Sequence, residues 1–140
     1  MKLGTLYGIG IGPGDPELIT VKGARLLKAC EHIFTPKARV ATSSLALMIA
    51  RRYIKPTARV HEIVFPMTAD TEELRRRWAK SARQVAATLK NQGDACFLTL
   101  GDPFLYSTYI YLLRALRKQL PNVKIVTVPG VNAFSAAAAL

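Results

Sequence analysis

Five short apolar runs, each followed by a turn and then by residues spaced for a helix, constrain this 140-residue chain more than any other feature. Leu3–Ile11 runs into GPGDPELIT, after which Thr20 can cap a helix with Val21, Ala24, Leu26 and Leu27 on its apolar face. Ile33–Pro36 precedes a helix over Thr42–Tyr53, and Arg59–Phe65 precedes a long helix that Asp70 or Thr71 caps and that reaches Gln92. Ala95–Leu100 leads to Tyr109–Leu120, and Val123–Val128 leads to a last helix, AFSAAAAL. Antiparallel strands can be joined by a tight hairpin, but parallel strands need a crossover such as a helix. The alternation therefore predicts an α/β fold: a mainly parallel sheet with helices on both faces and right-handed crossovers.

Half the residues are hydrophobic, enough for one domain with a real core. No run approaches the roughly 18 apolar residues that cross a membrane. The start, MKLGTLYGIGIGPGD, lacks the apolar segment and cleavage site of a signal peptide, so a cytoplasmic protein with no membrane partner is expected. Cys30 and Cys96 lie far apart in sequence without paired His or Cys, which fits core residues rather than a disulfide or metal site. His32 and His61 read as lone structural histidines, and no metal ligand set is expected.

The net charge is +11, from 20 Lys and Arg against 9 Asp and Glu. A polyanionic small molecule, a membrane or a nucleic acid would each suit that balance. However, Arg75, Arg76, Arg77, Lys80, Arg83 and Lys90 share one helix whose Leu74, Trp78, Val85 and Leu89 repeat at helical spacing. A solvated basic face explains the cluster, and without zinc-finger spacing, a basic arm or base-stacking aromatics, no nucleic-acid partner is expected.

Two loops follow apolar strands. In open α/β sheets, ligands bind outside the carboxyl ends of the strands. The first loop alternates Gly8, Gly10, Gly12 and Gly14, but no frame gives G-x-G-x-x-G, and no Gly-Lys-Ser/Thr follows. Asp15 and Glu17 would moreover repel phosphate. The second is Leu100-Gly101-Asp102-Pro103, where Pro103 keeps Asp102 out of the helical region. Taken alone, it fits a tight turn with a capping Asp as well as it fits a site. Asp15 and Asp102 should share one sheet edge, where carboxylates bind a ribose, polarise a nitrogen, accept a proton or simply cap helices. There is no G-x-S-x-G elbow and no defensible Ser-His-Asp order.

Taken together, GIGIGPGDPELITVKGARLLKAC, LTLGDPFLYSTY and VPGVNAFSAAAA resemble the tetrapyrrole methylases, and most of all those that methylate carbon 20 of precorrin-2 or cobalt-factor II in cobalamin biosynthesis. The resemblance runs along the whole chain. It implies that residues 1–140 are the first of two α/β domains, the second being absent from this chain, with S-adenosyl-L-methionine as methyl donor in the cleft between them. It implies donor contacts at Pro13, Leu100, Gly101, Asp102, Leu105, Asn132 and Ala133, although the family commonly has Ser or Thr where Asn132 stands. Asp102 and Tyr106 are the candidate proton acceptors. Gly12, Asp15, Lys37 and Arg39 are the candidate contacts to a tetrapyrrole substrate, with Arg51 and Arg52 also near the expected cleft edge. A homodimer is expected. The alternatives are a truncated, non-catalytic module that binds the donor or a protein, and a basic nucleic-acid-binding module.

Overall fold

The computed structural model describes residues 2–37, 44–65, 68–91, 93–105 and 108–140. Side-chain alternation along the strands decides how they are layered. In β1 (Thr5–Gly10), Leu6 and Gly8 face one side of the sheet, and Tyr7 and Ile9 the other. In β2 (His32–Lys37) and β4 (Ala95–Thr99), Phe34, Ala95 and Phe97 join the first face, while Ile33, Cys96 and Leu98 join the second. Helices α3 (Thr71–Asn91) and α4 (Tyr109–Gln119) cover the first face with Trp78, Val85, Leu89, Leu112 and Leu116. Helices α1 (Val21–Ala29) and α2 (Leu45–Ala50) cover the second with Leu27, Ala46 and Ile49. Both faces are therefore dry, as the alternation of elements requires.

With β3 (Arg59–Val64) and β5 (Lys124–Val128), the sheet has five strands in the order β3-β2-β4-β1-β5, and every pair is parallel. All five residues of β4 are buried, whereas β3 and β5 at the edges are half exposed. At about 1.5–3 kcal/mol for each large apolar side chain buried, stability is concentrated in the centre of the sheet. Strands β1 and β4 are neighbours whose helices leave to opposite faces, which opens the crevice described below.

Helix starts follow the side chains able to cap them. Thr20 accepts from the Gly23 amide at 3.0 Å, and Asp70 accepts from Glu72 and Glu73 at 3.0 and 3.2 Å. Asn132 accepts from Ser135 at 2.9 Å and starts α5 (Ala133–Ala138). Such caps contribute about 1 kcal/mol each. On α3 the basic residues Arg75, Arg76, Lys80, Arg83 and Lys90 lie exposed, opposite a buried stripe from Trp78 to Leu89.

Two expectations change. The helix expected over Thr42–Tyr53 is α2 followed by a separate 3-10 turn, Arg51–Tyr53, and Thr42 lies outside the described residues. Ser44 sets the start of α2: its hydroxyl accepts from Leu47 and is itself held by Thr35 and the Pro36 carbonyl. His32 and His61 are not lone. Pairing of β2 with β3 brings His32 Nδ1 to 3.2 Å from His61 Nε2, and burial lowers the pKa of both. Cys30 and Cys96 are buried free thiols, as expected of core residues, and Cys30 Sγ donates to the His32 carbonyl at 3.2 Å. The neighbouring Cys30 thiol and burial push the Cys96 pKa up. Among the described residues no group of three or more His, Cys, Asp or Glu is arranged to hold a metal, and no helix is long and apolar enough to cross a membrane.

Candidate active site

The carboxyl ends of β1, β4 and β5 converge on a junction made almost wholly of backbone. Gly12 and Gly101 form an antiparallel bridge: Gly101 N donates to Gly12 O at 2.9 Å, and Gly12 N to Gly101 O at 3.3 Å. Both residues have positive φ, 78° and 61°, a region that costs any residue with a Cβ. The third loop, Pro129-Gly130, closes on the other two. A Cβ on Gly130 would lie 2.1 Å from Gly101 O and 2.9 Å from Gly10 Cα. A Cβ on Gly10 would lie 2.7 Å from Gly101 O and 2.8 Å from Gly130 N. Three chain segments thus touch where only glycine fits.

Asp102 fastens the junction. Its Oδ1 accepts from Gly130 N and its Oδ2 from Phe104 N, each at 3.0 Å. Both carboxylate oxygens therefore hold backbone, so Asp102 is a positioning residue whose charge also lies at the crevice. Asp15 accepts from Glu17 N at 2.9 Å and caps the 3-10 turn Pro16–Leu18. Asp15 and Asp102 do share one sheet edge, each with a capping role.

The junction brings together most of the expected donor contacts. Pro13 follows Gly12 and is half-buried, and Asn132 Cα lies 3.7 Å from where a Gly101 Cβ would be. Leu100 and Leu105 stand 44% and 39% exposed on the loop, beside Phe104 at 59%. Ala133 opens α5 and is exposed. The side-chain oxygen of Asn132 accepts from Ser135 N at 2.9 Å and caps α5. Lys37 is ion-paired with Glu62 of β3 at 2.6 Å, so its charge is compensated. Arg39 and Tyr106 lie outside the described residues.

Sequence reasoning missed Gly130 as a site residue and the role of Gly8. A Cβ on Gly8 would overlap the buried Tyr109 hydroxyl, which bonds Thr127 at 3.0 Å and so ties α4 to β5 beneath the junction. Glycine inside a strand signals such close approach.

The class these features define is a parallel α/β sheet with a crevice at its carboxyl edge that is lined, among the described residues, mainly by backbone. The family model for tetrapyrrole (corrin/porphyrin) methylases matches residues 5–140, and the chain belongs to that family. It is 40% identical over 136 residues to the cobalt-precorrin-2 C(20)-methyltransferase of Salmonella typhimurium, covering 97% of this chain and 56% of that protein. It is 36% identical over 136 residues to a protein of Methanocaldococcus jannaschii named "probable cobalt-precorrin-2 C(20)-methyltransferase", covering 96% and 56%. A solved cobalt-precorrin-4 methyltransferase superposes with a TM-score of 0.69 at 29% identity, over 96% of this chain and 49% of that one. The chain spans about half the length of the curated relatives it matches.

Proposed function

We propose that this chain supplies one wall of a methyltransferase that moves the methyl group of S-adenosyl-L-methionine to carbon 20 of a precorrin-2 ring, with cobalt-precorrin-2 as the favoured acceptor. The observation that carries the reading is the three-loop glycine junction. It brings three loops together at a sheet crevice with no side chain between them, and its rim is apolar through Leu100 and Leu105. The residues fit the donor: a backbone cradle, the Asp102 carboxylate, and leucines for the methionine portion. The preference for the cobalt-bearing ring rests on the names of the two relatives reported above.

A sulfonium donor brings its own activated methyl group, so the protein needs no metal and no nucleophile. Its tasks are to fix the approach and exclude water. Gly12, Gly101 and Gly130 give a floor that does not reorganise, because each is pinned by main-chain contacts. Asp102 holds two of the three loops in register and places negative charge at the crevice, complementary to a cationic donor. Leu100 and Leu105 exclude water from its aliphatic part.

Calorimetry with S-adenosyl-L-homocysteine tests the reading. One-to-one binding to the 140-residue chain, lost in Gly130→Ala, is expected. A folded chain with no heat of binding overturns the claim that these loops hold the donor. The reading also expects self-association: α5 has no buried residue, and Phe134 is 69% exposed. Light scattering should show a dimer, and a clean monomer over a wide concentration range would count against it.

A further inference from the structure

A buried side chain at the start of α4 reaches the stems of all three loops that meet at the junction. Tyr109 is fully buried against the face of the sheet that α3 and α4 cover. In β1 it takes the space that a side chain at position 8 would need: a Cβ on Gly8 would lie 2.1 Å from the Tyr109 hydroxyl oxygen and 2.2 Å from its Cζ. In β5 its hydroxyl is 3.0 Å from Thr127 Oγ1, and either oxygen can donate. On the Asp102 loop, the Phe104 ring lies 5.7 Å from the Tyr109 ring and is tilted by 55°. Gly8 and Thr127 are partners in the β1–β5 register. Two residues beyond Gly8, a Cβ on Gly10 would lie 2.8 Å from Gly130 N. Along the strands, Tyr109 therefore stands one layer beneath the junction.

Packing alone does not call for a phenol here. A leucine would fill the layer without requiring a glycine inside β1, which weakens a strand, or a partner for a hydroxyl, which is costly to bury unbonded. What the phenol adds is a second tie between two segments that are already tied once. At the rim, Asp102 joins them: it accepts from Phe104 N on its own loop and from Gly130 N on the loop after β5. Beneath the rim, the Tyr109–Thr127 bond joins the start of α4 to β5 itself. A single tie would leave the two segments free to pivot about it. Two ties at different depths fix both their spacing and their tilt.

We infer that Tyr109 is a positioning residue for the methyl donor: its hydroxyl, paired with Thr127 over Gly8, sets the spacing of the Asp102 and Gly130 loops on which donor affinity depends. This rests on the proposed methyl-transfer reading, in which the donor lies on those loops. Tyr109 acts through Asp102 and Gly130 and not on the reacting atoms. Burial pushes its pKa above the ordinary value, with the Thr127 bond and Arg117 opposing, so the hydroxyl keeps its proton and serves to hold.

The test compares variants of the 140-residue chain by amide hydrogen exchange and by calorimetry. Tyr109→Phe keeps the ring and removes the hydroxyl. Thr127→Val keeps the branched shape, removes the partner and serves if Tyr109→Phe fails to fold. The Gly101 and Gly130 amides, which donate to Gly12 O at 2.9 Å and to Asp102 Oδ1 at 3.0 Å, report the lock directly. In both variants they should exchange about tenfold faster, a larger change than in the amides of α1 on the other face of the sheet. Affinity for S-adenosyl-L-homocysteine should fall about five- to tenfold in the same variants, and Thr127→Ser, which keeps a hydroxyl, should recover most of it. Val85→Ala, which opens a cavity under α3 in the same core, supplies the comparison: it should lower Tm and leave affinity nearly unchanged. Equal affinity losses in Val85→Ala and Tyr109→Phe would reduce Tyr109 to a core residue and overturn the inference. Unchanged exchange at the two glycines would overturn it, and so would unchanged affinity in Tyr109→Phe where the wild type binds. A wild-type chain that binds no S-adenosyl-L-homocysteine, yet loses protection at Gly101 and Gly130 in Tyr109→Phe, would remove the methyl-transfer reading and leave the setting of the loops by Tyr109 standing.

Discussion

The glycine junction and the surface between α1 and the 3-10 turn Arg51–Tyr53 are built on opposite principles. At the junction nearly every contact is main chain to main chain, and the one side chain that matters, Asp102, spends both oxygens on amides. Between α1 and the 3-10 turn, side chains line the surface, among them Arg25, Lys28 and Tyr53, and Lys28 Nζ lies 5.8 Å from the centroid of the Tyr53 ring. The first arrangement fixes geometry and tolerates no added atom. The second fixes little and supplies field.

The sharpest way to break this contrast is at Gly130. Alanine there puts a Cβ 2.1 Å from Gly101 O with backbone on the other sides, so nothing flexible can yield. Gly130→Ala should cost about 3 kcal/mol or more, at or beyond the upper end for overpacking, measured by urea unfolding. Gly14→Ala, where a Cβ meets nothing within 4 Å, is the partner experiment and should change stability by less than about 0.5 kcal/mol. Similar costs at the two glycines would mean the loops are not locked together.

Asp102→Asn comes next. One oxygen can still accept, but the amide nitrogen must face a backbone N–H, so one of two charge-assisted bonds is lost. A loss of about 1–3 kcal/mol is expected together with weaker S-adenosyl-L-homocysteine binding. Asp102→Ala, which removes both acceptors, should cost more than Asp102→Asn. Unchanged unfolding in both variants would show that the Gly130 loop is held by other means.

The smallest effect lies away from both regions, between β2 and β3. His32 and His61 have pKa values lowered first by burial, then for His32 by Arg59, with Glu31 opposing, and for His61 by His32 and Arg59. A folded-state pKa below the unfolded value of about 6.5 means the unfolded chain binds protons first. The contribution of the pair is therefore complete above about pH 6.5 and declines as pH falls through the folded values. Tm should drop by a few degrees between pH 7 and pH 5.5, and less so in His61→Leu. An identical pH profile in that variant would remove the pair from the account.

Legibility divides along the same line as the comparison. The strands, the caps at Thr20 and Asp70, and the loops around Asp15 and Asp102 could be read because each depends on neighbours in sequence. The bridge from Gly12 to Gly101, the bond from Asp102 to Gly130, the histidine pair and the thiol pair could not. Each joins segments made adjacent only by the order β3-β2-β4-β1-β5, which chain order does not display. Gly8 and Gly10 were the available clue: glycines inside a strand with no turn to justify them announce that something large or another backbone lies above.

That strand order has a consequence for the birth of the protein. Leu6 in β1 pairs with Ala95 on one side and Ile125 on the other. The first of these five strands to be made is thus among the last to be paired. At roughly 5–20 residues per second, it waits on the order of 5–20 s for its first partner. During that time, Leu6, Ile9 and their neighbours are an unshielded β-prone segment, the kind that draws chaperones or sticks to other nascent chains. The glycine junction, which needs β1, β4 and β5 together, forms only when synthesis has passed Gly130.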